Sequence, residues 1–214
     1  MTLKTFKQYL LEEVGEEESI QIPPSLITQY KGRLQISENN KLNSSLSFSI
    51  PANTGSFIDK NRELRYPFDV IDGGFNADHL LLSSFKNFPR IIKGNFTAYL
   101  NKFTNVEDFP EYVEGNIDIS SNKHLKSLSG IHKNLKECNG KLTIPADLKG
   151  GMLGLLKVKG LKKVTFDEDE VSEHQIPELA KACEIIAKYL NSDRNLIACQ
   201  KELYDNDLDD FAEL

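Results

Sequence analysis

The chain has no tryptophan, only two methionines and only three cysteines in 214 residues. Cys138, Cys183 and Cys199 are far apart and odd in number, which argues against a disulfide framework or a paired-cysteine zinc site. They are expected to be reduced thiols. No apolar run approaches the roughly 18 residues of a membrane span. The N-terminus lacks the apolar stretch and small-residue cleavage pattern of a secretory signal, so no membrane partner is expected. Catalytic signatures are missing too. There is no nucleophile elbow, phosphate-binding loop, paired-histidine zinc motif or Cys-x-x-Cys. The glycines of residues 150–154 (GGMLG) lack dinucleotide-loop spacing. Residues 72–79 (DGGFNADH) gather Asp72, Asp78 and His79, but Gly73, Gly74 and Phe75 belong to a repeat. Enzymatic activity, a metal and a cofactor are therefore not expected.

What is present is a period. Residues 88–96 (FPRIIKGNF) return as residues 109–117 (FPEYVEGNI), offset by 21 at every matched position. A fixed period of that size marks a stacked repeat architecture. Gly73, Gly94 and Gly115 keep the spacing, and Gly140 follows after 25. Upstream, Gly32, Leu34 and Ile36 have the same Gly-x-apolar-x-apolar form, 41 before Gly73, which leaves room for two units. Leu46, Phe48 and Ile50 alternate as a strand inside that gap. Val164 and Phe166 lie 22 after Leu142 and Ile144 and read as the last rung. A second element follows each strand: Leu82, Phe85 and Phe88, then Phe103, Val106 and Phe109, then Leu125, Leu128 and Ile131. Spacing by three suits tight 3₁₀-like turns. The unit therefore reads as a short strand, an asparagine turn, an apolar return and a glycine corner.

In residues 96–103 (FTAYLNKF) the pattern L-x-L-x-x-N-x-L is complete, and residues 117–125 (IDISSNKHL) match it with one extra residue. Residues 34–39 (LQISEN) begin the same way. In these positions the chain resembles the leucine-rich repeat, in the divergent form of bacterial and phage-encoded proteins. The resemblance covers roughly residues 30–166 and is specific over 73–144. It breaks after Ile144, where Pro145 intervenes and the asparagine is lacking. It implies a solenoid that binds a macromolecule.

Alternation across each strand sends Phe96, Ala98, Ile117, Ile119, Leu142 and Ile144 inward. Asn101 and Asn122 are expected to bond backbone at the turn. The outward positions Asn76, Asp78, Thr97, Tyr99, Asp118 and Ser120 form the expected binding face, with Tyr99 as its anchor.

The net charge of −6 hides an asymmetry. Residues 19–166 carry 20 basic and 13 acidic side chains, and residues 167–214 carry 4 and 14. Lys157, Lys159, Lys162 and Lys163 make a candidate basic patch, with nucleic acid as the alternative to a protein partner. The expected fold is α+β: a short leucine-rich-repeat-like solenoid of about six strands, led by a helix and closed by a helical hairpin. Residues 1–18 read as an amphipathic helix with an acidic linker, and 19–166 as the solenoid. Residues 167–204 read as the hairpin cap, with helices over 176–190 and about 194–205. Ser192 or Asp193 is the expected N-cap of the second helix, and residues 205–214 a solvated acidic tail. Residues 1–13 (MTLKTFKQYLLEE) resemble head-targeting segments of T-even-type phages, which are cut after Leu/Ile-x-Glu; Glu12 and Glu13 both fit. That resemblance implies a host-cytoplasmic or virion-interior location, and a host factor or virion component as partner.

Overall fold

The computed structural model describes residues 21–30, 33–51, 55–167 and 176–214. The expected helix over residues 2–13, the candidate cleavage residues Glu12 and Glu13, Gly32 and the acidic run at 168–170 lie outside the described residues.

A short helix, α1 (Pro24–Gln29), precedes two six-stranded sheets that enclose one apolar core, and a four-residue helix, α2 (Ile131–Asn134), lies on one of the returns between them. The first sheet runs β1 (Leu34–Ile36), β2 (Leu42–Ser44), β4 (Phe68–Ile71), β6 (Ile91–Ile92), β8 (Tyr112–Val113), β10 (Glu137–Cys138). The second runs β3 (Phe48–Ser49), β5 (Phe75–Asn76), β7 (Phe96–Thr97), β9 (Ile117–Asp118), β11 (Lys141–Ile144), β12 (Lys163–Phe166). Every pairing between these strands is parallel except β1 with β2. The fold is a β-solenoid of about six turns. The sequence repeat is its pitch: Phe75 stacks on Phe96, and Phe96 on Ile117.

Each turn contributes two strands, where the sequence pattern suggested one. The segment before each glycine corner pairs as well, Ile92 with Val113 and Val113 with Cys138. A two-residue strand carries too little alternation to stand out, yet its backbone must find partners once buried. The neighbouring rungs supply them. Phe96 N donates to Asn116 O at 2.8 Å and Ala98 N to Asp118 O at 2.8 Å.

The start of the solenoid also departs from expectation. Leu34–Ile36 is not a repeat unit. It folds back antiparallel on Leu42–Ser44 through a turn in which Ser37 N donates to Lys41 O, and it closes one edge of the first sheet. Residues 43–72 do form a turn, lengthened from 21 to 27 residues, since Phe48 pairs with Phe75. The extra length holds a small loop bridged between Ile58 and Leu64. Leu46 is exposed rather than inward.

The inward positions are buried as the alternation requires: Phe96, Ala98, Ile117, Ile119, Leu142 and Ile144 are all 0% exposed. Phenylalanine fills the first half of the core, with Phe85 stacked on Phe103 at 3.9 Å between centroids. The glycine corners stack so closely that a side chain does not fit. A Cβ on Gly115 would lie 2.8 Å from the Gly94 carbonyl, closer than real Cβ contacts come. Gly115→Ala should therefore destabilise the protein by about 2 kcal/mol through overpacking. A chemical-denaturation midpoint within error of the parent would contradict it.

The far end is closed by α3 (Ile176–Leu190) and α4 (Leu196–Tyr204), an antiparallel hairpin on the last rung. Leu179, Cys183, Ile186 and Leu190 are buried on one stripe. The N-cap of α4 is Asn195, not Ser192 or Asp193; its side chain accepts from Ala198 N at 3.0 Å. Residues 205–214 are not a solvated tail. Leu208, Phe211 and Ala212 are buried, and Asp210 O and Phe211 O accept from Gly151 N and Met152 N. At Gly150 the Asp210 carbonyl occupies the place a Cβ would need, while Gly151 has left-handed backbone with φ of 74° and packs against Ser127 and Ser129.

Candidate interaction surface

The second sheet brings most of the expected face residues together. Asn76, Thr97, Asp118, Thr143 and Thr165 form one outward row, with consecutive members paired rung to rung. Asp78 organises the next row. Its carboxylate accepts from Asn76 Nδ2 at 2.6 Å, Thr97 Oγ1 at 3.1 Å and Tyr99 N at 2.8 Å. It thus ties two rungs together and already has three donors. Asp118 is similarly engaged, accepting from Ser120 N and Ser120 Oγ. Ser120 does not belong to the exposed face: it is 3% exposed, although its rung turns at the same phase as the one before, with Ser121 in the left-handed position of Leu100.

An apolar cluster borders this polar face, which the sequence pattern did not single out. Tyr99 is half-buried, with the His79 ring against it at 5.1 Å, edge to face. Leu100 follows Tyr99 and is 37% exposed; Leu81 is 43% exposed. Leu81 lies between Leu80 and Leu82, whose N–H groups both donate to Asn101 Oδ1, so it sits against the turn that begins at Leu100. His79, Leu81 and Leu100 all have left-handed backbone, with φ of 60°, 57° and 53°. Asparagine or glycine suits such positions better than leucine, by about 1 kcal/mol. Two exposed leucines therefore stand where local conformational preference disfavours them. The 21-residue spacing of His79, Leu100 and Ser121 was a visible signal of a recurring turn, though not of its handedness.

Asn101 and Asn122 act as expected from the sequence. Both are buried and bond backbone within and between rungs. They are structural.

The four candidate lysines are exposed but divided by a corner. Lys159 bridges to Glu137 of the first sheet, with a 3.2 Å ion pair, whereas Lys163 pairs in register with Lys141 of the second. Lys157 ends the 3₁₀ turn Leu153–Lys157, and Lys162 lies between the two sheets. Near them, His132 is only half-exposed, and its Nδ1 is buried without a hydrogen-bond partner. Burial first, and then Lys157, Lys133 and Lys136, push its imidazole pKa down.

The outer face of the first sheet carries charge ladders. Arg90 Nε lies 3.1 Å from Asp69 and Nη1 3.3 Å from Glu111; Lys93 Nζ lies 2.7 Å from Asp72. Hydrogen bonds to Asp69 and then Glu111 raise the Arg90 pKa, and that to Asp72 raises the Lys93 pKa. The alternation of Asp69, Arg90 and Glu111 at 21-residue steps was readable in the sequence. Such exposed pairs add little stability.

Among the described residues no group of histidine, cysteine and carboxylate side chains could hold a metal ion. No helix among them is long and apolar enough to cross a membrane. No family model, curated protein or solved structure matches the chain.

Proposed function

We propose that this chain is a non-enzymatic interaction protein of leucine-rich-repeat-like type. It binds a protein partner through the second sheet and its bordering turns, with Tyr99 as the anchor. The observation that carries this is the cluster of Tyr99, Leu100 and Leu81 beside the polar row of Asn76, Thr97 and Asp118. An aromatic anchor with apolar neighbours and a polar surround is the composition of a binding hot spot. The choice of leucine at position 100 supports it further, since Ser121 holds the same left-handed position one rung on and the backbone there calls for no apolar side chain. On the phage-type resemblance, the partner is a host factor or a virion component.

Leu100→Asn separates function from folding. Asparagine accepts left-handed backbone, so thermal stability should hold or rise by up to about 1 kcal/mol. With Tyr99→Ala added, affinity purification from the source cells with quantitative mass spectrometry should lose a specific captured protein by about tenfold or more. An unchanged captured set from a folded double variant would remove this surface from consideration.

A further inference from the structure

A groove of about 550 Å³ lies on the opposite side of the turn, where the return segments enter the first sheet. Its floor is apolar, formed by Phe68, Phe88, Phe109 and the prolines beside them. Its rim is basic: Lys41, Lys86, Arg90, Lys133 and Lys136 stand against only Asp108 and Glu111. Lys86 and Arg90 have carboxylate partners at 3.2 Å and 3.1 Å. Among the described residues, no carboxylate pairs with Lys41, Lys133, Lys136 or Lys157. Lys157 extends the strip beyond the groove, since it, Lys133 and Lys136 all act on His132. Lys136 Nζ donates to the His132 and Lys133 carbonyls at 3.0 Å and 2.6 Å, so it too lacks a counter-ion, and the positive charge of Lys133, Lys136 and Lys157 gathers at one end of an apolar trough.

We propose that this groove takes an acidic peptide segment of a partner protein, with an apolar side chain seated on the floor. The charge of the rim selects the acidic chain, and the floor gives it a fixed register. A nucleic acid fits less well for two reasons. The lining aromatics are nearly buried, Phe88 packed against Phe75 and Phe96, and Phe109 against Phe85, so they leave too little ring surface for a base to stack on, whereas one apolar side chain can rest on the strip they share with Pro67 and Pro89. Asp108 and Glu111 also oppose a uniformly charged phosphate chain, whereas a peptide can place an uncharged residue beside them.

The test is fluorescence anisotropy of the full chain with a labelled oligoglutamate carrying one central phenylalanine. A labelled oligothymidylate of equal length serves as comparison. The peptide should bind, and more weakly as salt rises. Lys133→Glu with Lys157→Glu should weaken it about tenfold or more, a loss of two attractive charges and gain of two repulsive ones. Lys102→Glu with Lys123→Glu, exposed lysines beside the asparagine turns, should leave it unchanged. If the reversed pair melts early, Lys133→Gln with Lys157→Gln should still weaken binding about threefold. Equal affinity in the groove variants would overturn the proposal, as would tighter binding of oligothymidylate through the same lysines. Tyr99→Ala should not affect peptide binding, so failure here is distinguishable from failure of the second-sheet surface.

Discussion

Replacing Asn122 with leucine is expected to lower the melting temperature by about 10 °C, the largest effect of any single change considered. The side chain is 0% exposed and serves two rungs. Its Nδ2 donates to Ala98 O at 2.9 Å, Ile119 O at 2.8 Å and Ser120 O at 3.2 Å; its Oδ1 accepts from Asn101 N at 3.1 Å. Leucine has similar volume but no polar atoms, so these backbone groups are left without their partner. Each unsatisfied buried group costs about 1–3 kcal/mol. A total near 4 kcal/mol follows, which for a chain of this length converts to about 10 °C. Asn101→Leu should behave alike, because Asn101 Oδ1 accepts from Leu80 N and Leu82 N and its Nδ2 donates to Ala77 O. The two changes should not add, since Asn122 Oδ1 bonds the backbone of Asn101 itself. Thermal denaturation followed by circular dichroism decides it; a drop of under about 3 °C would refute the ladder's energetic role.

Arg194→Ala should release the helical hairpin from the solenoid before the solenoid unfolds. Arg194 sits in the connection between α3 and α4 with φ of 55°. Its guanidinium donates to Val158 O and Leu156 O through Nη1, and to Leu161 O at 2.7 Å through Nη2. These carbonyls belong to the last turn, which has no further rung to bond. One planar cation thus closes the end of the stack. Charged hydrogen bonds of this kind contribute about 1.5–3 kcal/mol each when shielded. The site is half-exposed and water replaces part of the loss, so about 3 kcal/mol is expected in total. Hydrogen exchange at α3 and α4 amides should quicken by about a hundredfold, with the central rungs little changed. Arg194→Lys should recover less than half, because an ammonium cannot reproduce the fork. Uniform acceleration across the whole chain would contradict a local role.

Much of the fold was legible in the sequence. The pitch, the glycine corners, the inward residues of β7, β9 and β11, the asparagine ladder and the helix over 176–190 all follow from spacing and alternation. The candidate face was only partly legible. Tyr99, Thr97 and Asp118 were placed outward by alternation, but Ser120 turned inward. The apolar contribution of Leu81 and Leu100 went unseen, because handedness in a turn leaves no mark on hydropathy. The placement of the basic residues was legible only in part, for a similar reason. Neighbours in sequence, Lys159 and Lys163, fall on either side of a corner, while Lys133 and Lys157 come together only through packing.

The sequence by itself determined everything that recurs: a residue repeated at the same phase meets its own counterpart on the next rung, so periodicity is already a statement of contact. Tertiary structure decided what does not recur. The antiparallel hairpin at residues 34–44, the docking of Phe211, the fork of Arg194 and the basic groove each join segments with no shared period. Their partners are chosen by which backbone groups and apolar surfaces the ends of a finite stack leave uncovered, and that exists only after the rungs have assembled.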